Sequence, residues 1–378
     1  MKYREFKKLG VKVFPLGFGA MRLPIIGGDE GKINEKEVIR MIRYGIDNGI
    51  NYVDTAYPYH KGNSEILVGK ALKNGYREKT YLATKLPTWL LEKETDMDRY
   101  LTEQLKKLDT DHIDFYLIHS LRKSTWDRAY KLGVLEWGEK MKEKGYIRYL
   151  GFSFHDEFPV FKEIIDAYDN WDFCQIQYNY MDINFQAGRR GLKYAGSKGI
   201  PVIVMEPLRG GKLASPPPSV KAIFDSYSIK RSPVEWALFW VWNHPEVALL
   251  LSGMSTMEQV KENIESAKRS GIGILSEEEL KVIQRAREEY LRLTPIDCTK
   301  CNYCMPCPFG VNIPGNFAIY NSAVMYGGRF KDFKWEYDAL GDARASACTK
   351  CGECEPKCPQ GLHIRDLLDM VWENFENI

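Results

Sequence analysis

The sequence predicts an α/β fold, a (β/α)8 TIM barrel followed by a small α-helical C-terminal domain. Between about residue 10 and residue 270, short apolar runs alternate with amphipathic segments, which is typical of parallel strands joined by helices. Eight such units over about 250 residues indicate a closed barrel. Eight of the nine cysteines lie from Cys298 onward, which sets the C-terminal segment apart.

Eight apolar runs are the predicted barrel strands. They are Phe14–Gly19, Asn51–Thr55, Thr80–Lys85, Ile113–His119, Tyr149–Phe152, Phe173–Tyr178, Pro201–Met205 and Val247–Leu251. The predicted helices between them include Glu35–Asn48, Asp98–Leu108, Leu135–Lys144, Phe158–Tyr168, Arg189–Lys198, Pro233–Asn243 and Met257–Ser270. A doubly wound sheet is the alternative, but Gly17-Phe18-Gly19 lacks the third glycine of the nucleotide-binding turn of that fold.

The two ends of the barrel region carry separate predictions. Residues Lys2–Gly10 alternate weakly in polarity, and we expect them to pair with Val11–Phe14 as a hairpin that plugs the bottom of the barrel. A last amphipathic helix, Ser276–Leu291, begins with a capping sequence. Thr294-Pro295 ends it, so we predict a barrel domain of residues 1–294 and a second domain of residues 295–378.

The composition excludes several classes of protein. A net charge of +2 gives no basic surface for nucleic acid. No apolar run reaches the roughly 20 residues of a membrane span. The N-terminus has basic residues without an apolar core after them, so it does not resemble a secretory signal. Because clustered thiols also favour a reducing compartment, we expect a cytoplasmic protein without nucleic-acid or membrane partners.

The C-terminal domain contains two cysteine runs, each ending in Cys-Pro. The ligand candidates are Cys298, Cys301, Cys304 and Cys307 in the first run and Cys348, Cys351, Cys354 and Cys358 in the second. Three thiols at intervals of three residues followed by Cys-Pro are typical of a [4Fe–4S] cluster. We therefore predict two 4Fe–4S clusters in a ferredoxin-like domain. Disulfides and zinc sites are the alternatives, and both fit the spacing less well.

The two runs are expected to exchange their last cysteines. In two-cluster ferredoxins the fourth cysteine of each run binds the other cluster. One cluster would then be bound by Cys298, Cys301, Cys304 and Cys358, and the other by Cys348, Cys351, Cys354 and Cys307. The remaining cysteine, Cys174, lies in an apolar stretch and is expected to be an inert buried thiol.

Three consecutive predicted strands end in polar residues. These residues are Asp54, Lys85 and His119, and Tyr59 lies in the loop after the first of them. The carboxyl ends of barrel strands carry catalytic groups in this fold. We therefore expect the four side chains to converge on one rim of the barrel.

The segments around these residues resemble the aldo-keto reductases. They are Asn51–Tyr59, Ala83–Lys85, Tyr116–His119 and Gly151–Ser153. Together with the cysteine-rich tail, they resemble the branch of that family with a fused ferredoxin domain. The resemblance implies an NAD(P)-dependent oxidoreductase that transfers a hydride between nicotinamide and a small carbonyl or alcohol substrate.

The resemblance also assigns the roles of the four rim residues. Tyr59 would be the general acid, and Lys85 would lower the pKa of its phenol, which is near 10 when free. Asp54 would hold the lysine, and His119 would orient the carbonyl.

The resemblance also implies a coenzyme site at the carboxyl ends of the later strands of the barrel. NADP is expected from the resemblance. NAD is the alternative, because the Lys or Arg that the family often places around Gly253 and Gln259 to bind the 2′-phosphate of NADP is missing. The implied contacts are Ala20, Met21, Asp54, Ser153, Gln175, Met205, Leu208, Gly210, Gly253, Met254, Ser255, Gln259 and Asn263. Leu208–Lys212 has two glycines beside cations, which suits a loop over a pyrophosphate. Phe154 replaces the usual carboxamide-binding Asn, and His155 either rescues that contact or lies at the surface.

The expected clusters raise a question about electron flow. Nicotinamide gives two electrons as a hydride, whereas a cubane cluster takes one, so direct transfer needs a flavin or quinone between them. No flavin motif is visible, and a bound flavin is not excluded. We expect the clusters to transfer electrons, with a redox partner protein as a candidate acceptor. A non-enzymatic redox sensor or electron carrier with a nucleotide-binding barrel is the second hypothesis.

Overall fold

The computed structural model describes residues 3–6 and 9–378 and contains a closed barrel of eight parallel strands. The strands of the chain are β1 (Arg4–Phe6), β2 (Val11–Val13), β3 (Leu16–Gly19), β4 (Ile25–Ile26), β5 (Asp29–Ile33), β6 (Tyr52–Asp54), β7 (Tyr81–Leu86), β8 (Ile113–Leu121), β9 (Ile147–Phe154), β10 (Phe173–Gln177), β11 (Val202–Met205) and β12 (Val247–Gly253). The barrel is β3-β6-β7-β8-β9-β10-β11-β12, closed by the pairing of β12 with β3. The predicted TIM barrel is confirmed.

Helices connect the strands and build the C-terminal region. They are α1 (Glu35–Asp47), α2 (Ser64–Ala71), α3 (Thr95–Leu108), α4 (Lys123–Lys131), α5 (Val134–Glu143), α6 (Phe158–Asp166), α7 (Gly188–Ser197), α8 (Pro218–Asp225), α9 (Pro233–Trp242), α10 (Met257–Lys268), α11 (Glu277–Arg292), α12 (Ile313–Met325), α13 (Lys334–Asp338) and α14 (Ile364–Glu376). Among the described residues, none of these helices is long and apolar enough to traverse a bilayer.

Helix α1 shows how the local sequence produces these elements. The side chain of Asn34 accepts a hydrogen bond from the Glu37 N–H and caps the helix start. Val38, Met41 and Ile42 recur at helical spacing and are buried. The helix therefore begins at a polar cap and turns one apolar stripe toward the barrel.

The predicted N-terminal hairpin is present in its described part. β1 pairs antiparallel with β2, and Phe6 lies opposite Val11. Phe6 is fully buried, with its ring 5.5 Å from that of Phe115 inside the barrel. The hairpin therefore plugs the barrel at the amino ends of its strands. Lys2, Lys7 and Lys8 lie outside the described residues.

The chain divides into two compact units, and their division differs from the predicted boundary after Thr294. The first unit comprises Met1–Gly211 and Val234–Glu277, and the second comprises Lys212–Pro233 and Glu278–Ile378. Long-range contacts explain why the 212–233 segment falls in the second unit. Arg231 forms an ion pair with Glu279 of α11. These partners are far apart in the sequence, so no local pattern indicates the pairing.

The second unit has an aromatic core. The rings of Tyr337 and Phe375 stack at 4.6 Å, and Phe330 packs edge-on against Phe375 at 5.3 Å. Asn321 both donates to and accepts from the backbone of Ile296. These contacts pack α13 against α14 and tie α12 to the chain just before the first cysteine run.

Candidate active site

A buried ion pair lies at the carboxyl ends of β6 and β7. Lys85 Nζ lies 2.7 and 2.8 Å from the two carboxylate oxygens of Asp54, and it also donates to the carbonyl oxygen of Thr55 at 2.7 Å. Lys85 is fully buried and Asp54 is 3% exposed. The ammonium group therefore has three acceptors, two on Asp54 and one on Thr55.

Tyr59 lies against this pair. Lys85 Nζ is 5.1 Å from the centre of its phenol ring. The loop is fixed by the next residue, His60, which has a left-handed φ of 52°. His60 Nε2 accepts from the Leu23 N–H at 3.1 Å, and Nδ1 pairs with the Glu30 carbonyl oxygen at 2.9 Å. The β4–β5 hairpin, which the sequence did not predict, thus supports the tyrosine loop.

Burial dominates the electrostatics of these groups. It raises the pKa of Tyr59 above 10, and the nearby Lys85 ammonium only partly opposes it. The expected lowering by Lys85 is therefore outweighed. Burial also lowers the pKa of Lys85, but Asp54 and Tyr59 more than compensate and leave it above its ordinary value. At neutral pH the ammonium is charged and the phenol keeps its proton.

His119 completes the group as a neutral imidazole. Burial, followed by the charges of Lys85 and His155, holds its pKa well below 6.5. Its ring centre lies 6.2 Å from that of Tyr59 and 5.1 Å from that of Trp89. Nδ1 is buried and has no hydrogen-bond partner among the described residues. The structure thus brings Asp54, Tyr59, Lys85 and His119 together, as their positions at the strand ends predicted.

The carboxamide end of the expected coenzyme site is formed by β9, β10 and β11. Ser153 and Gln175 lie opposite each other in the register of β9 and β10, and both are buried. Gln175 Oε1 has no partner among the described residues, while Nε2 lies 3.4 Å from Met205 Sδ. An unpartnered buried amide oxygen beside a serine and a methionine fits a nicotinamide carboxamide and the ring that carries it.

The two residues after Ser153 have different environments. Phe154 is fully buried, and its ring packs 5.1 Å from that of Phe161 on α6, so it faces away from the barrel mouth. His155 is close enough to Lys85 and His119 to interact electrostatically with both side chains. Its pKa falls to about 4, mainly through burial. His155 is therefore a neighbour of the four rim residues.

The expected phosphate-binding segments flank an arginine that the sequence analysis did not identify. The Arg22 guanidinium lies 3.2 Å from the Glu206 carboxylate, and a methyl group at Gly210 would come within 3.1 Å of it. A methyl group at Gly253 would meet the Cβ of Arg22 at 3.1 Å. Arg22, from the loop after β3, is therefore adjacent to both Gly210 and Gly253.

The remaining implied coenzyme residues lie directly after β3, beside the carboxyl end of β6, and in or just before α10. Ala20 N–H donates to the Asp54 carbonyl at 2.8 Å, while Met21 is half-exposed. Ser255 N–H donates to Gln259 Oε1 at 2.7 Å, and Asn263 Nδ2 donates to Ser252 Oγ at 3.2 Å. Met254 is fully buried.

Lys212 is the last residue of the Leu208–Lys212 segment, which the sequence suggested for pyrophosphate binding, but its ammonium group contacts other side chains. Its Nζ lies 3.1 Å from the Glu336 carboxylate and 3.5 Å from the centre of the Phe333 ring. Its side chain is only 13% exposed. All three residues belong to the second unit, so the Lys212 ammonium group has its partners within that unit.

The cysteines of the two runs surround two cavities. One cavity is lined by Cys298, Cys301, Cys304 and Cys358, and the other by Cys307, Cys348, Cys351 and Cys354 together with Cys304. Including their open mouths, the cavities enclose about 320 and 370 Å³. Each run thus contributes its last cysteine to the cavity of the other run, which is the arrangement that the sequence predicted.

The geometry of the thiols fits clusters better than single metal ions. All eight are free thiols, and Cys301 and Cys351 are exposed. Among the described residues, no three His, Cys, Asp or Glu side chains converge closely enough to hold one ion. Thiols that line a space without meeting at a point suit a cubane, whose irons stand apart. Cys174, by contrast, is fully buried, and burial raises the pKa of its thiol well above the ordinary value.

Two family models match the two parts of the chain. A family model described as "Aldo/keto reductase family" matches residues 15–288, and one described as "4Fe-4S dicluster domain" matches residues 297–363. Protein tas of Escherichia coli is 26% identical over 78% of this chain and all of its own length. L-galactose dehydrogenase of Arabidopsis thaliana is 26% identical over 78% of this chain and 97% of its own length.

Solved structures give the same result for the barrel. The holo form of aldo-keto reductase AKR11C1 from Bacillus halodurans is 29% identical, with a TM-score of 0.64, over 76% of this chain and 96% of its own. An aldo-keto reductase from Klebsiella pneumoniae in complex with NADPH is 23% identical, with a TM-score of 0.59, over 75% of this chain and 95% of its own, and shares the fold.

Fold and site together define a barrel oxidoreductase that carries an iron–sulfur domain. The chain belongs to the aldo/keto reductase family, and its class is that of NAD(P)H-dependent oxidoreductases. A 4Fe–4S dicluster domain follows the barrel.

Proposed function

We propose that the barrel reduces a small-molecule carbonyl with NADPH, with Tyr59 as the general acid. The observation that carries this proposal is the buried Lys85–Asp54 pair beside Tyr59, with Lys85 Nζ 5.1 Å from the centre of the phenol ring. A buried lysine is costly unless it is paired and hydrogen-bonded. Its place beside a phenol and an unpartnered imidazole nitrogen suits a reaction in which negative charge develops on oxygen.

The side chains divide the reaction between them. NADPH, when bound, would supply a hydride to the carbonyl carbon, and the negative charge would pass to the carbonyl oxygen. Neutral His119 donates a hydrogen bond to the carbonyl oxygen from Nε2, because Nδ1 is covered by protein atoms. Tyr59 gives its proton to that oxygen, which completes the alcohol. Lys85 stabilises the phenolate left behind, and Asp54 keeps the ammonium charged and in place.

Tyr59→Phe tests this assignment because it removes the proton donor and keeps the ring. We expect turnover of an aldehyde panel under anaerobic conditions to fall by at least about a hundredfold, with NADPH affinity within about twofold of the wild type. Near-normal turnover would refute Tyr59 as the acid. Tight NADPH binding without consumption in the wild type would support the redox-sensor alternative.

We further propose that the domain holds two 4Fe–4S clusters in the crossed arrangement and uses them in electron transfer. Reduced clusters supply single electrons. The exposed Cys301 and Cys351 place one edge of each cavity at the surface of the second unit, which suits exchange with an external redox partner. Iron, sulfide and flavin quantified together after anaerobic purification provide the test. Iron and sulfide at about four per chain or fewer would contradict two clusters.

A further inference from the structure

The loop after β11 has an unusual backbone conformation. Glu206 and Arg209 have φ angles of 55° and 48°, and Gly210 and Gly211 have 67° and 86°. Left-handed backbone at a non-glycine residue costs roughly 1–2 kcal/mol, so two such residues in one short loop need compensating contacts. Left-handed residues in a turn direct successive N–H groups to one side, an arrangement that binds anions.

Asn179, in the loop after β10, supplies part of the compensation. It is fully buried, and its Nδ2 donates to the carbonyl oxygen of Glu206 at 3.0 Å. Its Oδ1 accepts from the N–H groups of Met181 and Asp182 at 3.0 and 2.9 Å. One buried amide therefore fixes two loops against each other.

Asp182 adds a charge to this connection. Its Oδ2 accepts from Gln177 Nε2 at 2.8 Å and from Asn179 Nδ2 at 3.0 Å, and it lies 3.3 Å from Arg209 Nε. Asp182 is 8% exposed, so its carboxylate depends on these donors. The ion pair holds the left-handed Arg209 directly before the two glycines.

We propose that Asp182 and Asn179 are positioning residues that keep the Glu206–Gly211 loop in the form that binds the coenzyme pyrophosphate. This inference rests on the proposed function, since it requires a dinucleotide at this loop. Both residues act through Arg209 and the loop backbone. Their loss therefore weakens coenzyme binding and leaves the chemical step unchanged.

The test is a double-mutant cycle on the full-length, cluster-loaded protein, read as the dissociation constant for NADPH. Asp182→Asn keeps the shape of the side chain and removes its charge. We expect Asp182→Asn to weaken NADPH binding by about tenfold or more in the wild-type background. In the Arg209→Met background, the same substitution should weaken NADPH binding further by no more than about twofold. The value of kcat at saturating NADPH should stay within about twofold of the wild type.

A matched control is Asp166→Asn, which removes the carboxylate paired with Lys162 and Lys198. It should leave NADPH affinity unchanged. Asp182→Asn with wild-type affinity would overturn the proposal, and so would losses that multiply in the double variant. A joint fall in kcat and melting temperature would show a structural role and also overturn it. If Asp182→Asn does not fold, Arg209→Met alone must show the loss of affinity. A wild type that binds neither NADPH nor NADH would refute the proposed function instead.

Discussion

Lys85 is the residue on which the rim group depends most. It donates to Asp54 and Thr55 and lies beside the ring of Tyr59, and its pKa stays above the ordinary value only because Asp54 and Tyr59 outweigh the effect of burial. The positions of Asp54, Lys85 and His119 at strand ends could be predicted, because a strand places its last residue at the rim. The net rise in the pKa of Tyr59 could not, because burial is a property of the packed structure.

The Lys85–Asp54 pair gives a prediction about stability. Lys85→Met should lower the free energy of unfolding by about 3–5 kcal/mol, because it leaves a buried carboxylate without its partner. Adding Asp54→Asn should recover part of this loss. Lys73→Met, which breaks a half-exposed pair with Asp109, is the control and should change less than about 1 kcal/mol. Urea denaturation measures all four proteins, and a loss for Lys85→Met as small as that of the control would contradict the prediction.

The pKa shifts predict the pH dependence of carbonyl reduction. The pKa of His119 lies well below 6.5 and that of Tyr59 above 10, in both cases mainly through burial. A general acid must hold its proton, so the rate falls only as pH rises through the pKa of Tyr59. We expect kcat/KM to be level from about pH 6 to about pH 9 and to fall above that range. An inflection near pH 6.5 would show that His119 titrates and that its neutral role is wrong.

At the scale of elements, close helix packing depends on particular glycines. A methyl group at Gly69 of α2 would lie 2.6 Å from the carbonyl oxygen of Leu108, the last residue of α3. Backbone cannot move aside as a side chain can. The periodicity of the sequence predicted most helices, but the β4–β5 hairpin was missed, because β4 has two residues and β5 alternates only partly. The role of Gly69 also depends on a contact distant in the sequence.

Gly69→Ala should therefore separate α2 from the end of α3. We expect the free energy of unfolding to fall by about 1–3 kcal/mol. Gly45→Ala in α1 is the matched control, since the atom nearest to its added methyl group is the terminal Cδ1 of the Ile50 side chain, at 3.1 Å. The control should be neutral or slightly stabilising, because alanine favours helix over glycine by about 1 kcal/mol. Equal losses in thermal or urea unfolding would argue against the backbone contact as the cause.

At the scale of the whole molecule, the sequence predicted two domains and the thiol sets, and the cavities contain those sets. Burial, followed by the neighbouring Cys298, Cys358 and Cys301, raises the pKa of Cys304, so Cys358 of the second run lies beside the first run. The spacing of the cysteines was sufficient to predict these two sets, because that spacing follows from the geometry of a cluster. The assignment of residues 212–233 to the second unit depends on folded contacts and could not be predicted.

Paired cysteine substitutions distinguish crossed from uncrossed binding. In the crossed arrangement, Cys307→Ala with Cys348→Ala affects one cluster, so about four irons per chain should remain of about eight. Cys298→Ala with Cys307→Ala affects both clusters and should leave almost none. The uncrossed arrangement predicts the reverse for the two variants. Iron and sulfide content, with the electron paramagnetic resonance signal of the reduced proteins, makes the comparison.

The second unit is assembled from two stretches of chain that the α9–α10 region separates. A truncation after Thr294 would keep Lys212 and discard both Glu336 and Phe333, so a cation that is nearly covered would lose its partners. Grafting only the cysteine-rich tail onto another barrel would omit Lys212, the partner of Glu336. Protein engineers who want to transplant this iron–sulfur module should therefore move both stretches together.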